Sequence, residues 1–192
     1  MTGVTAPLAR TNEEAHLYME LRPCVCGETD FDATSSVAQV GGSWVSRYAG
    51  RCAECDRERV FEFRQPDEIA VPADGSWAPG AAPSELLDAG EWLLVADAYG
   101  SSDADPAGLS TTAREQVRTD LAAAAAALDE VLKFLPAGAD EVPEPAFWSA
   151  QGRAVRDAEP GRFRRVRLEA ARRVYRTALA AFGEPPRTPD AD

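Results

Sequence analysis

The sequence contains a single lysine, Lys133, and a single histidine, His16, and no apolar run approaches the ~20 residues that cross a bilayer. A Ser-His-Asp or Cys-His site would have to use this one histidine, and neither an H-E-x-x-H motif nor a glycine-rich phosphate loop occurs. Residues 1–10 lack the basic and apolar segments of a secretory signal. We therefore expect a cytoplasmic protein without a membrane partner, and a binding protein rather than an enzyme.

Positive charge is also scarce. The 192 residues include 20 basic and 32 acidic ones, which gives a formal net charge of -12. Nucleic acids and anionic membranes attract positive potential, so this balance favours a basic protein partner over either of them. Hydrophobic residues at 45% and charged residues at 27% are typical of a chain that folds around its own core.

Four cysteines occur in two close pairs, Cys24-Val-Cys26 and Cys52-Ala-Glu-Cys55. In a reducing compartment such pairs bind metal more often than they form disulfides. Four thiolates complete a tetrahedral shell around zinc and leave no position for water or substrate. The predicted cofactor is one structural Zn²⁺, although iron accepts similar spacing. The alternative is four thiols without a metal.

Strand-forming segments surround the two pairs. The pattern predicts strands over residues 17–21, 34–40, 44–51 and 60–63, with Gly41-Gly42 as a two-residue turn that requires positive φ. His16 is expected on the first of these strands. The predicted order is a cysteine turn, a hairpin, a second cysteine turn and a final strand.

This order resembles a zinc ribbon over roughly residues 15–64. The resemblance depends on Pro23-Cys24-Val-Cys26-Gly27 and Cys52-Ala-Glu-Cys55, and it implies a small antiparallel sheet in which two cysteine turns hold one zinc ion. The first turn is one residue shorter than the usual C-x-x-C, and Asp56 stands where glycine often follows the second turn. Aspartate tolerates left-handed backbone better than most residues.

Arginines flank the cysteines at Arg22, Arg51 and Arg57. Their guanidinium groups are candidates to offset the net -2 charge of a zinc tetrathiolate. The alternative is that they are solvated loop residues.

The remainder predicts helices, so the expected fold class is α+β. The predicted organisation is an N-terminal tail (1–14), a zinc-ribbon-like β module (15–64), a Pro/Gly-rich linker (65–83), a segment of four to five helices (84–183) and a C-terminal tail (184–192).

Local signals place the helix ends. Ser84 is the predicted N-cap of the first helix, which Gly90 is expected to interrupt, and Thr112 with Glu115 forms a predicted capping box. Pro136 is expected to stop the long alanine-rich helix that follows.

The last predicted helix begins near Pro160 and has two contrasting faces. Its expected apolar face carries Phe163, Val166, Ala170, Val174, Ala178, Leu179 and Phe182. Its basic face is a possible interaction surface made by Arg164, Arg165, Arg167, Arg172, Arg173 and Arg176. One interpretation is that these arginines pack against the acidic remainder of the protein or are simply solvated. The other is that they form a docking face for nucleic acid or an acidic protein.

The predicted function is that of a non-catalytic zinc-binding protein that acts through protein contacts, as an adaptor or an inhibitor or immunity-like binder of a basic partner. The first alternative is an accessory nucleic-acid-binding protein that uses the basic face of the last helix, a common role of zinc ribbons. The second is an enzyme with a carboxylate-based site in the helical half. Its candidate carboxylates are Asp97, Asp129, Glu130, Asp140 and Glu141.

Overall fold

The computed structural model describes residues 6–68, 77–78, 80–101 and 108–182. Within them the chain has the predicted α+β fold. It divides into two compact units, Met1–Leu87 and Asp88–Asp192. The predicted C-terminal tail and residues 69–76 and 79 of the predicted linker lie outside the described residues. None of the described helices is long and apolar enough to cross a membrane.

The first unit contains a three-stranded antiparallel sheet. Its strands are β1 (Phe31–Val40), β2 (Ser43–Cys52) and β3 (Glu58–Arg64), in the order β1-β2-β3. The turn between β1 and β2 is Gly41-Gly42, with φ of 60° and 90°. Two positive φ values characterise the type I′ turn, whose twist matches that of the strands it joins, so the predicted hairpin is confirmed.

The segment before the first cysteine pair is a helix, α1 (Asn12–Glu20), so the strand predicted over residues 17–21 is wrong. The Thr11 hydroxyl caps α1 by accepting the backbone N–H of Glu14. His16 consequently lies on a helix and is exposed, with its ring edge against Tyr48. The cap and the acidic first turn fix a helical start that the apparent alternation of His16, Tyr18 and Glu20 conceals.

A buried ion pair holds the N-terminal segment on α1. The carboxylate of Glu14 is fully buried and accepts hydrogen bonds from the backbone N–H and the guanidinium of Arg10. The same guanidinium also donates to the carbonyl of Ala82. The pair therefore joins three segments of the first unit, and the multiple hydrogen bonds offset the cost of burying both charges.

In the part that the structure describes, the second unit contains four α-helices: α2 (Ala89–Gly100), α3 (Thr111–Lys133), α4 (Ala150–Ala158) and α5 (Arg165–Ala181). Short 3-10 turns occupy Glu144–Ala146 and Pro160–Phe163. The predicted stop near Pro136 agrees with the end of α3.

Two predicted helix starts are wrong by a few residues. The cap of α2 is Asp88, which forms a capping box with Glu91, whereas the Ser84 hydroxyl accepts two backbone N–H groups of the preceding turn. The cap of α3 is Ser110, not Thr112, and its hydroxyl accepts the N–H of Ala113. Several adjacent residues have capping chemistry in both segments, so the local sequence alone does not select one.

Gly90 does not interrupt α2 but allows α4 to approach it. A Cβ at Gly90 would lie 2.4 Å from the carbonyl oxygen of Gly152, and a Cβ at Gly152 would meet the Asp88 carboxylate. Asp88 is fully buried and also accepts the backbone N–H of Ser149 just before α4. Two glycines and one carboxylate therefore set the crossing of the two helices.

The buried face of α5 differs from the predicted one. Val166 and Val174 are 69% and 64% exposed, whereas Leu168 is buried. Tyr175 packs so closely on the end of α2 that a Cβ at Gly100 would meet its hydroxyl. The contacts of large side chains decide the orientation of α5, because small and apolar residues occur on both of its sides.

Replacing Gly90 with alanine should lower the free energy of unfolding of the second unit by about 1 to 3 kcal/mol, because the new Cβ overlaps backbone that cannot move aside cheaply. Urea denaturation followed by helix circular dichroism measures this change. Gly161→Ala is the control, since a Cβ there meets nothing within 4 Å, and its effect should stay within ~0.5 kcal/mol. Equal stability of the two variants would contradict the proposed crossing.

Candidate metal centre

The four cysteines meet at one point beside the sheet. Their Sγ atoms all lie within 4.8 Å of one another, and the Cys24–Cys55 and Cys26–Cys52 Sγ distances are both 3.5 Å. Metal–sulfur bonds of ~2.3 Å in a tetrahedron place the sulfurs roughly 3.8 Å apart, whereas a disulfide bond is ~2.05 Å long. All four are free thiols. The four side chains are therefore positioned to bind a metal ion.

The first cysteine turn closes on itself through the backbone. The N–H of Gly27 donates to the carbonyl of Cys24 at 2.8 Å, and the N–H of Cys24 donates to the carbonyl of Glu28 at 2.7 Å. Gly27 has a φ of 94°, a conformation that strongly favours glycine. The short Cys-x-Cys spacing is accommodated by this tight turn, which points both sulfurs the same way.

The second cysteine turn follows β2 directly. The N–H of Cys52 donates to the carbonyl of Arg57, and the N–H of Asp56 donates to the carbonyl of Cys52. Asp56 has a φ of 55° and is the one non-glycine residue with positive φ in the described part of the chain. Aspartate thus takes the position where zinc ribbons often have glycine, as its tolerance of this conformation predicts.

The thiols differ in acidity. The pKa of Cys24 is lowered to about 7, chiefly by a hydrogen bond from the backbone N–H of Cys26. The backbone N–H of Arg57 also lowers the pKa of Cys55, but the neighbouring sulfurs of Cys26 and Cys24 outweigh it and raise this pKa to about 12. Cys24 ionises before Cys55, and a metal ion must displace the proton of Cys55. Metal binding therefore strengthens as the pH rises, because protons compete for the same sulfurs.

The flanking arginines contact other groups near the centre. The guanidinium of Arg51 pairs with the Asp56 carboxylate at 2.7 Å and also donates to its carbonyl, which braces the second turn. The guanidinium of Arg22 lies 4.3 Å from the centre of the Tyr18 ring. Arg57 is exposed. That these three residues offset the net negative charge of a metal tetrathiolate remains a prediction.

Arg59 was not predicted as a site residue, yet it links the first cysteine turn to β3. Its buried guanidinium donates to the carbonyls of Met19, Arg22 and Thr29, which lie just before and just after the first cysteine pair. It also lies over the ring of Phe31. Its alternating position beside Phe61 and Phe63, on the inner face of β3, is the sequence signal that could have revealed it.

Three of the five carboxylates proposed for an enzyme site form ion pairs within the second unit. The other two, Asp140 and Glu141, are exposed. Asp97 forms a two-point ion pair with Arg162, and Asp129 pairs with both Arg172 and Arg176. Glu130 is buried and pairs with Lys133. Among the described residues, the four cysteines are the only group of three or more metal-ligating side chains brought together.

Half of the arginines on the proposed basic face of α5 form ion pairs or hydrogen bonds within the second unit. Arg172 and Arg176 pair with Asp129, and Arg165 donates to the carbonyls of Ala139 and Pro136. The other three arginines of this face, Arg164, Arg167 and Arg173, are exposed.

No protein-family model, curated protein or solved structure matches the chain.

Replacing Arg59 with methionine should lower the free energy of unfolding of the first unit by about 2 to 4 kcal/mol, because three carbonyls lose a charged donor. The bound metal should pass to a chromogenic chelator at least roughly tenfold faster, since 1.4 kcal/mol corresponds to that factor. Arg47→Met is the matched control because this side chain is exposed in β2 and pairs with Glu62 at the surface. Equal transfer rates for the two variants would show that Arg59 does not position the cysteines.

Proposed function

We propose that this chain is a zinc-binding, non-catalytic protein that acts by contacting a basic partner protein. The observation that carries the proposal is the set of four converging thiols. Four protein sulfurs complete the shell of a tetrahedral ion and leave no position for a substrate or water, which favours a structural role for the metal.

Zinc suits this structural role better than iron. Zn²⁺ has no redox chemistry, imposes no geometry of its own and is commonly held by four cysteines in small β modules. When bound, it would neutralise the mutual repulsion of the four thiolates and fix the two turns against each other. Cys24, Cys26, Cys52 and Cys55 would hold it.

The metal would add stability that β1 does not gain from burial. Every residue of β1 from Asp32 to Val40 is exposed, so this strand contributes little buried surface. A two-stranded hairpin by itself is only marginally stable, whereas a structural zinc site contributes on the order of 10 kcal/mol to folding. The position of the four thiols at the base of the hairpin supports this role.

The surface charge supports a basic partner. Residues 1–87 include 14 acidic and seven basic residues, and a bound zinc tetrathiolate would add a charge of about -2. The stretch from Pro23 to Ser46 contains Glu28, Asp30 and Asp32 but no lysine or arginine. Such a surface attracts a positively charged protein and repels nucleic acid.

The nucleic-acid alternative depends on the arginines of α5. The ion pairs of Arg172 and Arg176 with Asp129 reduce the charge that this helix offers to phosphates. Filter binding at low salt tests this alternative, with Arg164, Arg165, Arg172 and Arg173 changed together to glutamate as the comparison. Affinity that disappears in this variant would favour nucleic-acid binding over the proposed function.

Elemental analysis of protein purified without chelator should find about one zinc per chain, the count for one tetrathiolate site. A red colour would identify iron instead. Cys52→Ser should reduce the bound metal and increase hydrogen exchange in the sheet, while α2 to α5 keep their protection. Ala53→Ser is the matched control in the same turn and should retain the metal. Full sheet protection after metal removal would refute the structural role.

A basic partner should be captured in a salt-dependent way. Immobilised chain should retain proteins of high isoelectric point from lysate at low salt, and the interaction should weaken as the Debye length falls from ~30 Å at ~0.01 M to ~8 Å at ~0.15 M. Mass spectrometry identifies the retained proteins. The control is the chain with Glu28, Asp30 and Asp32 changed to amides. Retention of only neutral or acidic proteins would rule out the proposed partner class.

A further inference from the structure

Strand β1 is an edge strand of the three-stranded sheet. Within the described residues it pairs with β2 alone, and ten consecutive residue pairs join the two strands without a bulge. Proteins usually protect such edges with lysine, proline, bulges or very short strands. β1 has none of these features, and Asp32 is its single charged residue. A long, regular and nearly uncharged edge is a template for one more strand.

The hairpin register shows which backbone groups face outward. Val40 pairs with Ser43 across a two-residue turn, so the even-numbered residues of β1 exchange hydrogen bonds with β2. The N–H and C=O groups of the odd-numbered residues therefore point to the free edge, and these residues are Phe31, Ala33, Ser35, Val37 and Gln39. The N–H of Gln65 donates to the carbonyl of Trp44, which fits this alternation because even-numbered residues of β2 face β3.

The two ends of the edge differ in character. At its start, Asp30 and Asp32 are exposed beside the cysteine turns, and no basic residue occurs between Pro23 and Ser46. Near the hairpin tip, Val37 and Val40 are 55% and 61% exposed. The edge thus offers negative charge at one end and apolar contact at the other.

A shallow groove adjoins this edge on one face of the sheet. Its volume is about 490 Å³. Its lining includes Ser36, Ala38, Val40, Val45, Arg47 and Glu62. Alternate side chains of an added strand would lie on the same face as this groove. A groove beside the edge of a sheet can thereby select which side chains the added strand carries.

We propose that β1 binds an extended, positively charged segment of the partner protein as a fourth strand of the sheet. This inference rests on the proposed function and adds the place and manner of contact. A second copy of the chain would offer the same unprotected edge, but its aspartates and metal centre would bring further negative charge to this one. Charge complementarity therefore selects a basic segment as the occupant.

Amide hydrogen exchange gives a direct readout of strand addition. The probe is a short synthetic peptide with alternating valine and threonine between a pair of lysines at each end, so that positive charge reaches Asp30 and Asp32 in either strand direction. In the free protein the even-numbered amides of β1 should exchange slowly and the odd-numbered ones quickly. Added peptide should slow the odd-numbered amides, because they gain acceptors. Unchanged odd-numbered amides at saturating peptide would overturn the proposal.

Ser35→Pro should weaken peptide binding at least roughly tenfold, because it removes an outward donor and places a ring at the edge. Proline here leaves the even-numbered donors to β2 in place. Ser35→Thr is the matched control, since it keeps the N–H and should bind like the unchanged chain. Equal binding by the two variants would overturn the proposal, and the exchange pattern of the unchanged chain decides the matter if Ser35→Pro does not fold.

Three further results separate this inference from the proposed function. The double variant Asp30→Asn with Asp32→Asn should bind the lysine peptide more weakly than the unchanged chain does. A peptide with glutamate in place of lysine should not bind the unchanged chain. Capture of a basic protein without protection of the odd-numbered amides would leave the proposed function standing and overturn the strand addition. Protection that grows with protein concentration alone, with a dimer in light scattering, would identify a second copy as the occupant and also overturn it.

Discussion

The requirement that four sulfurs converge on one point governs the structure of the first unit. Two cysteines lie in a turn before β1 and two lie at and after the end of β2, so the hairpin must return over its full length before the pairs can meet. The Gly41-Gly42 turn sets the register that places Cys52 opposite Phe31. A register shift by one residue would turn Cys52 to the other face and remove it from the site.

Arg59 and the Arg10–Glu14 pair stabilise this arrangement through buried hydrogen bonds. The guanidinium of Arg59 donates to carbonyls at the end of α1 and on both sides of the first cysteine pair. Glu14 holds the segment before α1 through the backbone and side chain of Arg10. Each buried charge has several partners, which is the condition under which such groups specify one arrangement instead of destabilising it. In the first unit these polar networks therefore supplement an apolar core that includes Leu17, Met19 and Phe63.

The sequence predicts the parts of the fold that depend on neighbours along the chain. The cysteine turns, the glycine turn and β3 are local patterns, and the structure contains them. The predicted strand over residues 17–21 is wrong because the spacing of Leu17 and Met19 suits a strand, whereas the cap at Thr11 and the buried Glu14 select a helix. The predicted face of α5 is wrong because Val166 and Val174 compete with Leu168, and only distant contacts such as that of Tyr175 with Gly100 decide between them. The role of Gly90 and Gly152 could not be predicted from the sequence, because it is the close approach of two helices that lie far apart along the chain.

The metal centre and the free edge of β1 are connected, because the order of this strand depends on the cysteine turn beside it. A strand exposed along nearly its whole length gains little from burial, so its order depends on the ladder with β2 and on the cysteine turn that precedes it. A metal bound by the four thiols would join the turns before β1 and after β2, and it would thereby hold the outward amides of β1 in a regular row. The strand then need not bury side chains in the core, and its side chains and outer backbone groups stay available for binding. In the proposed function the structural metal thus maintains the shape of a surface whose own contacts would not maintain it.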